Sequence, residues 1–220
     1  MERLAAVLFD MDGVLIDSYR AHLESWTIVC REMGLEITES RFAETFGRTS
    51  REVIRGFWGA DLSEDDVARI DRRKEAVYRE LVSRDLPVMD GLLPLLDGLK
   101  RGGVPIAVAS SGPPENVDLV VRALGPDRFG AIVSGVDVER GKPDPQVFLV
   151  AAARLGASPA RCVVIEDAPP GLRAARMAGM RSIALLSTGR REEEVAVEGP
   201  DLIIESLREL TPERIESLLG

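Results

Sequence analysis

Short, uninterrupted apolar runs recur along the chain, separated by stretches with helical spacing. The first is Leu4-Ala5-Ala6-Val7-Leu8-Phe9, which ends at Asp10. Similar runs lie at 106–109, 131–133, 162–165, 183–186 and 202–204. A run without polar alternation is what a strand covered on both faces requires. Between them, residues 94–101, 115–124, 146–155, 171–178 and 207–219 carry apolar positions at helical spacing. Strand alternating with helix predicts an α/β fold, a Rossmann-like parallel sheet with helices on both faces. Ligands of such sheets bind at the carboxyl ends of the strands.

Residues 18–85 interrupt the alternation and hold no strand pattern. Leu23, Trp26, Cys30 and Met33 are spaced three, four and three apart, one apolar helix face. Ser63 precedes Glu64, Asp65 and Asp66, an N-cap followed by first-turn acids, and a long helix is expected from there to about Val82. The expected organisation is a core made of residues 1–17 and 86–220, with an inserted α-helical cap domain at 18–85.

Composition narrows the function. The net charge of −9 leaves no basic stripe for nucleic acid and argues equally against an anionic membrane surface. The first apolar run, six residues long, is too short for a signal-peptide core or a membrane span, so a cytoplasmic location is expected. The two cysteines, Cys30 and Cys162, form no CxxC pair and read as reduced, buried thiols. His22 is the only histidine, which excludes zinc sites built on several histidines. Lysine occurs only at 74, 100 and 142, against 25 arginines. That scarcity singles out Lys74 and Lys142 as places where a compact ammonium is wanted.

Four polar clusters follow four of the apolar runs: Asp10-Met11-Asp12-Gly13, Ser110-Ser111-Gly112, Gly141-Lys142-Pro143 and Glu166-Asp167. Taken singly, each has an ordinary reading as a turn, a cap or a loop. A phosphate loop is excluded, because Gly135 and Gly141 are separated by five residues and Pro143 stands where a Ser or Thr is needed. Parallel strands, however, bring all four clusters to one edge of the sheet. Carboxylates gathered so closely need a cation, and an all-oxygen donor set suits Mg²⁺. Mg²⁺, an ammonium, a hydroxyl and backbone N–H groups together neutralise a phosphoryl group. A carboxylate can attack phosphorus, and a second one nearby can serve as general acid and base.

The segment Phe9-Asp10-Met11-Asp12-Gly13-Val14-Leu15-Ile16-Asp17-Ser18 resembles the signature of the haloacid dehalogenase superfamily of phosphatases. Ser110, Lys142 within Gly141-Lys142-Pro143-Asp144-Pro145, and Glu166-Asp167 resemble its other three motifs. The resemblance implies Asp10 as nucleophile and Asp12 as general acid/base. It implies Mg²⁺ held by the side chains of Asp10 and Asp167 and the backbone carbonyl of Asp12, with Glu166 beside the metal as a ligand or through water. Ser110 and the N–H of Ser111 would bind phosphate oxygens, and Lys142 would bridge phosphate and nucleophile. The acid at Asp12 points to phosphoryl transfer, since dehalogenases of the superfamily lack an acid there.

The helical insertion resembles the cap of the branch that contains phosphoglycolate phosphatase, sugar-phosphate phosphatases and β-phosphoglucomutase. Such caps close over the site and choose the substrate. Candidate cap residues are His22 and Trp26, the patch Phe46-Gly47-Arg48-Thr49-Ser50-Arg51, and Arg72, Arg73 and Lys74. Trp26 reads first as cap core, and Arg48 and Arg51 read equally as anion readers or surface charges. Lys74, four residues before Tyr78, matches a lysine of the β-phosphoglucomutase cap. The expected function is a Mg²⁺-dependent phosphatase of a small phosphorylated metabolite. The rivals are a β-phosphoglucomutase-like mutase and a non-catalytic Mg²⁺-dependent binding domain. The pattern sets neither the substrate, among sugar phosphates, phosphoglycolate, nucleotides and pyrophosphate, nor the oligomeric state.

Overall fold

The computed structural model describes residues 3–45, 49–187 and 189–220. Its backbone forms two compact units, Met1–Asp17 with Pro87–Gly220, and Ser18–Leu86. Leu86, expected in the core, falls with the helical unit. The core resumes at Pro87, whose carbonyl accepts from Asp17 N–H at 2.8 Å.

The first unit is built on six parallel strands: β1 Ala6–Phe9, β2 Ile106–Ala109, β3 Ala131–Val133, β4 Cys162–Glu166, β5 Arg181–Leu185 and β6 Leu202–Ile204, in the spatial order β3-β2-β1-β4-β5-β6. Chain order runs outward from β1 on one side and from β4 on the other, so the direction of winding changes between them. That junction is where an open α/β sheet forms its ligand crevice. Phe9 pairs with Ile165 across it, and Asp10 N–H donates to Ile165 O at 3.0 Å, which brings Asp10 level with the end of β4.

The helical unit contains α1 Tyr19–Glu32, α2 Glu39–Ala43, α3 Ser50–Trp58 and α4 Glu64–Arg84. Their facing sides supply a core of Trp26, Val29, Phe42, Val53, Ile54, Val67, Ile70 and Val77. The α4 start follows its sequence signal: Ser63 Oγ accepts from Asp66 N–H at 3.1 Å. The core helices are α5 Leu92–Arg101, α6 Pro114–Leu124, α7 Gln146–Arg154, α8 Pro169–Met177, α9 Glu192–Ala196 and α10 Pro212–Glu216. One sheet face, with Ala6, Leu8, Ala107, Ala109 and Val164, packs on α7 and α8 through Ala151, Ala152, Ala174 and Ala175. Small side chains on both layers let helix and sheet approach closely.

The last expected helix, 207–219, is interrupted. A 3₁₀ turn spans Leu207–Glu209, and α10 starts afresh at Pro212, capped by Thr211 Oγ1 accepting from Arg214 N–H at 3.2 Å. Proline lacks the N–H that a continuous helix needs and suits a first helical position. Among the described residues no helix is long and apolar enough to cross a membrane. Both cysteines are unpaired and buried, and burial pushes each thiol up to about 11, which keeps them protonated and weakly nucleophilic at neutral pH.

Candidate active site

The strand order places the four polar clusters as the alternation predicts. Asp10 follows β1, Ser110 follows β2, Lys142 lies in the connection after β3, and Glu166 ends β4 with Asp167 next. Asp10, Glu166 and Asp167 are all buried, and each offers a carboxylate oxygen within 4.8 Å of the others. Lys142 Nζ donates to Asp10 Oδ1 and, at 2.6 Å, to Glu166 Oε1. The lysine therefore joins residues 132 and 24 positions away in sequence.

Glu166 is held on every side. Its Oε2 accepts from Asp167 N–H at 3.0 Å and Ala168 N–H at 2.9 Å, while Oε1 takes the lysine. Gly171 makes room for it: a Cβ there would stand 1.8 Å from Oε1. Gly13 does the same for Asp167, since a Cβ would lie 2.5 Å from Oδ2, and its φ of +78° is one that other residues adopt only with strain. The loop that carries Asp12 folds tightly: Gly13 N–H donates to Ile16 O at 2.8 Å and Leu15 N–H to Met11 O at 2.9 Å. A short bridge from Ile16 to Val88 anchors its far end.

Burial pushes the Asp10 carboxyl well above the usual carboxylate range; Lys142 pulls it down, and the charges of Glu166 and Asp167 push it up again. For Lys142, burial acts to lower the pKa, but the adjacent Asp10 and Glu166 charges outweigh it and the ammonium is held protonated. The cluster is thus short of positive charge. Its donor set, carboxylate oxygens converging in a buried crevice, fits a hard divalent ion such as Mg²⁺. Asp10 and Asp167 are the better-placed direct ligands, because both oxygens of Glu166 are already engaged.

Ser110 is buried, and its Oγ accepts from Gly112 N–H at 3.0 Å. Ser111 is exposed and neighbours the Gly141 turn, where a Cβ on Gly141 would be 3.7 Å from Ser111 Oγ. Pro113 and Pro114 then open α6.

Within the helical unit the structure gathers some of the expected residues and separates others. Lys74, on α4, is buried; its Nζ donates to Glu75 Oε1 at 2.8 Å and lies 3.0 Å from His22 Nδ1 on α1. The His22 ring stacks on Tyr78 with centroids 4.2 Å apart. Trp26 is 3% exposed within the hydrophobic core, with Lys74 Nζ 5.6 Å from its ring. Trp26 therefore belongs to the cap core and also walls the lysine. Arg51 is an exposed partner of Glu64, and Arg73 pairs with Glu32 at 2.6 Å. Arg72 is exposed. Gly47 and Arg48, with Phe46, lie outside the described residues.

Sequence reasoning missed two residues of the core site. The charged run 190–194 reads as a solvated helix start, yet the Arg190 side chain is only 17% exposed, with Nε 3.6 Å from Asp167 Oδ2. Ser187, in the same loop after β5, donates through Oγ to Gly13 O at 2.6 Å. The available signal was positional: this loop also leaves the carboxyl edge of the sheet, beside β4.

The chain is 32% identical to β-phosphoglucomutase of Bacillus subtilis over 96% of its own length and 93% of that protein's. It is 32% identical to hexitol phosphatase A of Escherichia coli, covering 95% and 94% of the two chains. A crystal structure of a family IA, variant 3 haloacid dehalogenase-type hydrolase from Entamoeba histolytica superimposes with a TM-score of 0.90 at 29% identity, over 98% of this chain and 99% of that one. The model of the haloacid dehalogenase-like hydrolases matches residues 4–179, which span the Asp10 loop, the whole helical unit, Lys142 and the Glu166-Asp167 pair, and this chain belongs to that family.

Proposed function

We propose that the protein is a Mg²⁺-dependent phosphatase that hydrolyses the phosphate monoester of a small sugar or polyol through an aspartyl-phosphate on Asp10. The observation that carries this reading is the Lys142 clamp, one ammonium bonded to both Asp10 and Glu166 beside Asp167 at the sheet's switch point. A lone acidic cluster would bind a cation. An ammonium fixed on Asp10 beside a site that would hold a cation would supply a second positive centre for a transferring phosphoryl group.

Asp10 and Asp167 would hold the Mg²⁺ with the backbone of Asp12, and the ion supplies charge neutralisation of phosphate oxygens when bound. An Asp10 oxygen attacks phosphorus while the bond to the leaving oxygen breaks. Asp12 gives its proton to that oxygen, releasing the alcohol. Asp12 then takes a proton from water, whose oxygen attacks the same phosphorus, and the bond to Asp10 breaks to release inorganic phosphate. Ser110, Ser111 and Lys142 bind the phosphoryl oxygens throughout. Glu166 orients Lys142 and the backbone of Asp167 through the bonds described above.

Water rather than a second sugar phosphate is the proposed acceptor. A mutase must hold the distal phosphate of a bisphosphate, and residues after Ser111 are the expected anchor. Here that segment is Gly112-Pro113-Pro114. Its prolines have no N–H, and the Gly112 N–H is spent on Ser110 Oγ. The helical unit is proposed to read neutral hydroxyls, because the charge of Lys74 is already matched by Glu75. The test mixes enzyme, Mg²⁺, β-glucose 1-phosphate and a trace of glucose 1,6-bisphosphate, alongside a panel of sugar and polyol monophosphates. Free phosphate from one or more of them is expected. Rapid conversion to glucose 6-phosphate with little free phosphate would instead make the protein a mutase.

A further inference from the structure

The loop after β5 carries no expected catalytic residue, yet it is fastened to the site at two points. Ser187 Oγ bonds to the carbonyl of Gly13, in the loop of Asp10 and Asp12. Arg190 reaches Asp167. The contacted oxygen, Asp167 Oδ2, is the one that lies against Gly13, so this carboxylate is bordered by the glycine on one side and the guanidinium on the other. Lys142 is turned toward Asp10 and Glu166. The acid cluster therefore holds two cations that serve different carboxylates.

We propose that Arg190 is a positioning residue that both fixes Asp167 and sets the Mg²⁺ concentration at which the site fills. The inference rests on the metal-dependent reading above. A guanidinium stays charged across the working pH range, so its effect on the cluster is constant. It attracts the Asp167 carboxylate across 3.6 Å, which favours a formed site, and it repels a divalent ion held by that same carboxylate. At such short range the repulsion is the larger effect on affinity, and low exposure keeps salt from screening it fully. An arginine that merely packed the loop would contribute to folding alone and leave metal affinity unchanged.

The experiment is calorimetric titration of Mg²⁺ into the full chain without substrate, for wild type, Arg190→Gln and Arg190→Lys, with melting temperatures measured alongside. Arg190→Gln should tighten Mg²⁺ binding roughly 10-fold while lowering the melting temperature of the Mg²⁺-free protein. At saturating Mg²⁺ its kcat should fall, because Asp167 is less well held. Arg190→Lys keeps the charge and should bind Mg²⁺ within about 2-fold of wild type, which separates charge from fold should the glutamine variant be poorly folded. Unchanged or weaker Mg²⁺ binding in a folded Arg190→Gln, or equal tightening in Arg190→Lys, overturns the proposal. If wild type itself binds no Mg²⁺, the phosphatase reading falls and this inference falls with it.

Discussion

Two of the three lysines are set among acids, Lys74 buried and Lys142 largely so, and the contrast between them separates the two units of the protein. Lys142 is bonded to two carboxylates at the ends of the neighbouring strands β1 and β4, far apart in sequence, with Asp167 close by. Negative charge there exceeds positive, and the surplus calls for a divalent cation. Lys74 is matched by its sequence neighbour Glu75 and shares its surroundings with His22, Trp26 and Tyr78. Asp71 on the same helix also acts on both Lys74 and Glu75, so the charge of this lysine is fully met within α4, and aromatic rings wall it. Lys100, exposed and paired with Asp127, shows what an ordinary lysine of this chain looks like. The two lysines thus differ in where their partners come from: Lys142 joins carboxylates from two separate strands, whereas the charge of Lys74 is met within its own helix.

The comparison breaks most readily at Asp10. Asp10→Asn should lower turnover of every substrate by at least about 10³-fold, because an amide cannot attack phosphorus. Asp167→Ala should weaken Mg²⁺ binding, read by titration. Full activity without Mg²⁺ in either variant would remove the chemical centre from this cluster. Next in size is Asp12→Asn, with a loss of about 10²-fold or more on alkyl phosphates, as expected for a general acid. The loss in the first step should shrink for nitrophenyl or acyl phosphates, whose leaving groups need no proton. Equal losses across leaving groups would reduce Asp12 to a structural part of the loop.

Lys74→Met sharpens the other half. It should raise KM about 10-fold for a sugar phosphate while changing kcat little, since recognition remote from phosphorus is lost. It also leaves Glu75 buried without its cation, a loss of about 3–5 kcal/mol, so Lys74→Met/Glu75→Gln should recover much of the stability without recovering KM. A kcat loss as large as that of Asp12→Asn would erase the distinction between the two lysines.

The smallest effect is in pH. The Asp10 pKa is raised by burial, so the folded protein keeps that proton to higher pH than the unfolded chain does. Its contribution to stability is present at low pH and is lost as pH rises through the raised pKa. Without Mg²⁺ the melting temperature should fall over that window. Asp10→Asn should flatten the fall, and Mg²⁺ should raise the melting temperature more at the upper end than at the lower. A Mg²⁺-induced rise that is the same at both ends would contradict the placement of the ion on Asp10.

Much of this was legible in the sequence because the signals were local. The strands at 106–109, 131–133 and 202–204 begin and end where their apolar runs do. Asp10, Ser110, Lys142 and Glu166-Asp167 could be brought together from chain order alone, since every parallel strand ends at the same edge. The state of Lys74 could not, because lysine is ordinarily exposed and its burial depends on how α1 packs on α4. Arg190 was hidden for a similar reason. It stands at the head of the run Arg190-Arg191-Glu192-Glu193-Glu194, which looks like a solvated helix start, and only the adjacency of β5 to β4 turns it toward Asp167. The helix expected at 207–219 failed on a local signal that was present: Pro212 restarts it.

The central claim is that Asp10 carries the phosphoryl group, and it can be tested on the covalent intermediate itself. Asp12→Asn is mixed with acetyl phosphate and Mg²⁺, quenched in acid, digested and mapped by mass spectrometry. Acetyl phosphate needs no acid to leave, while hydrolysis needs Asp12 as base, so the intermediate should accumulate. The account predicts a phosphoryl group on the peptide containing Asp10, absent when Mg²⁺ is withheld or when Asp10→Asn is added to the variant. Phosphate release with no label on that peptide, or a label on any other residue, would contradict it.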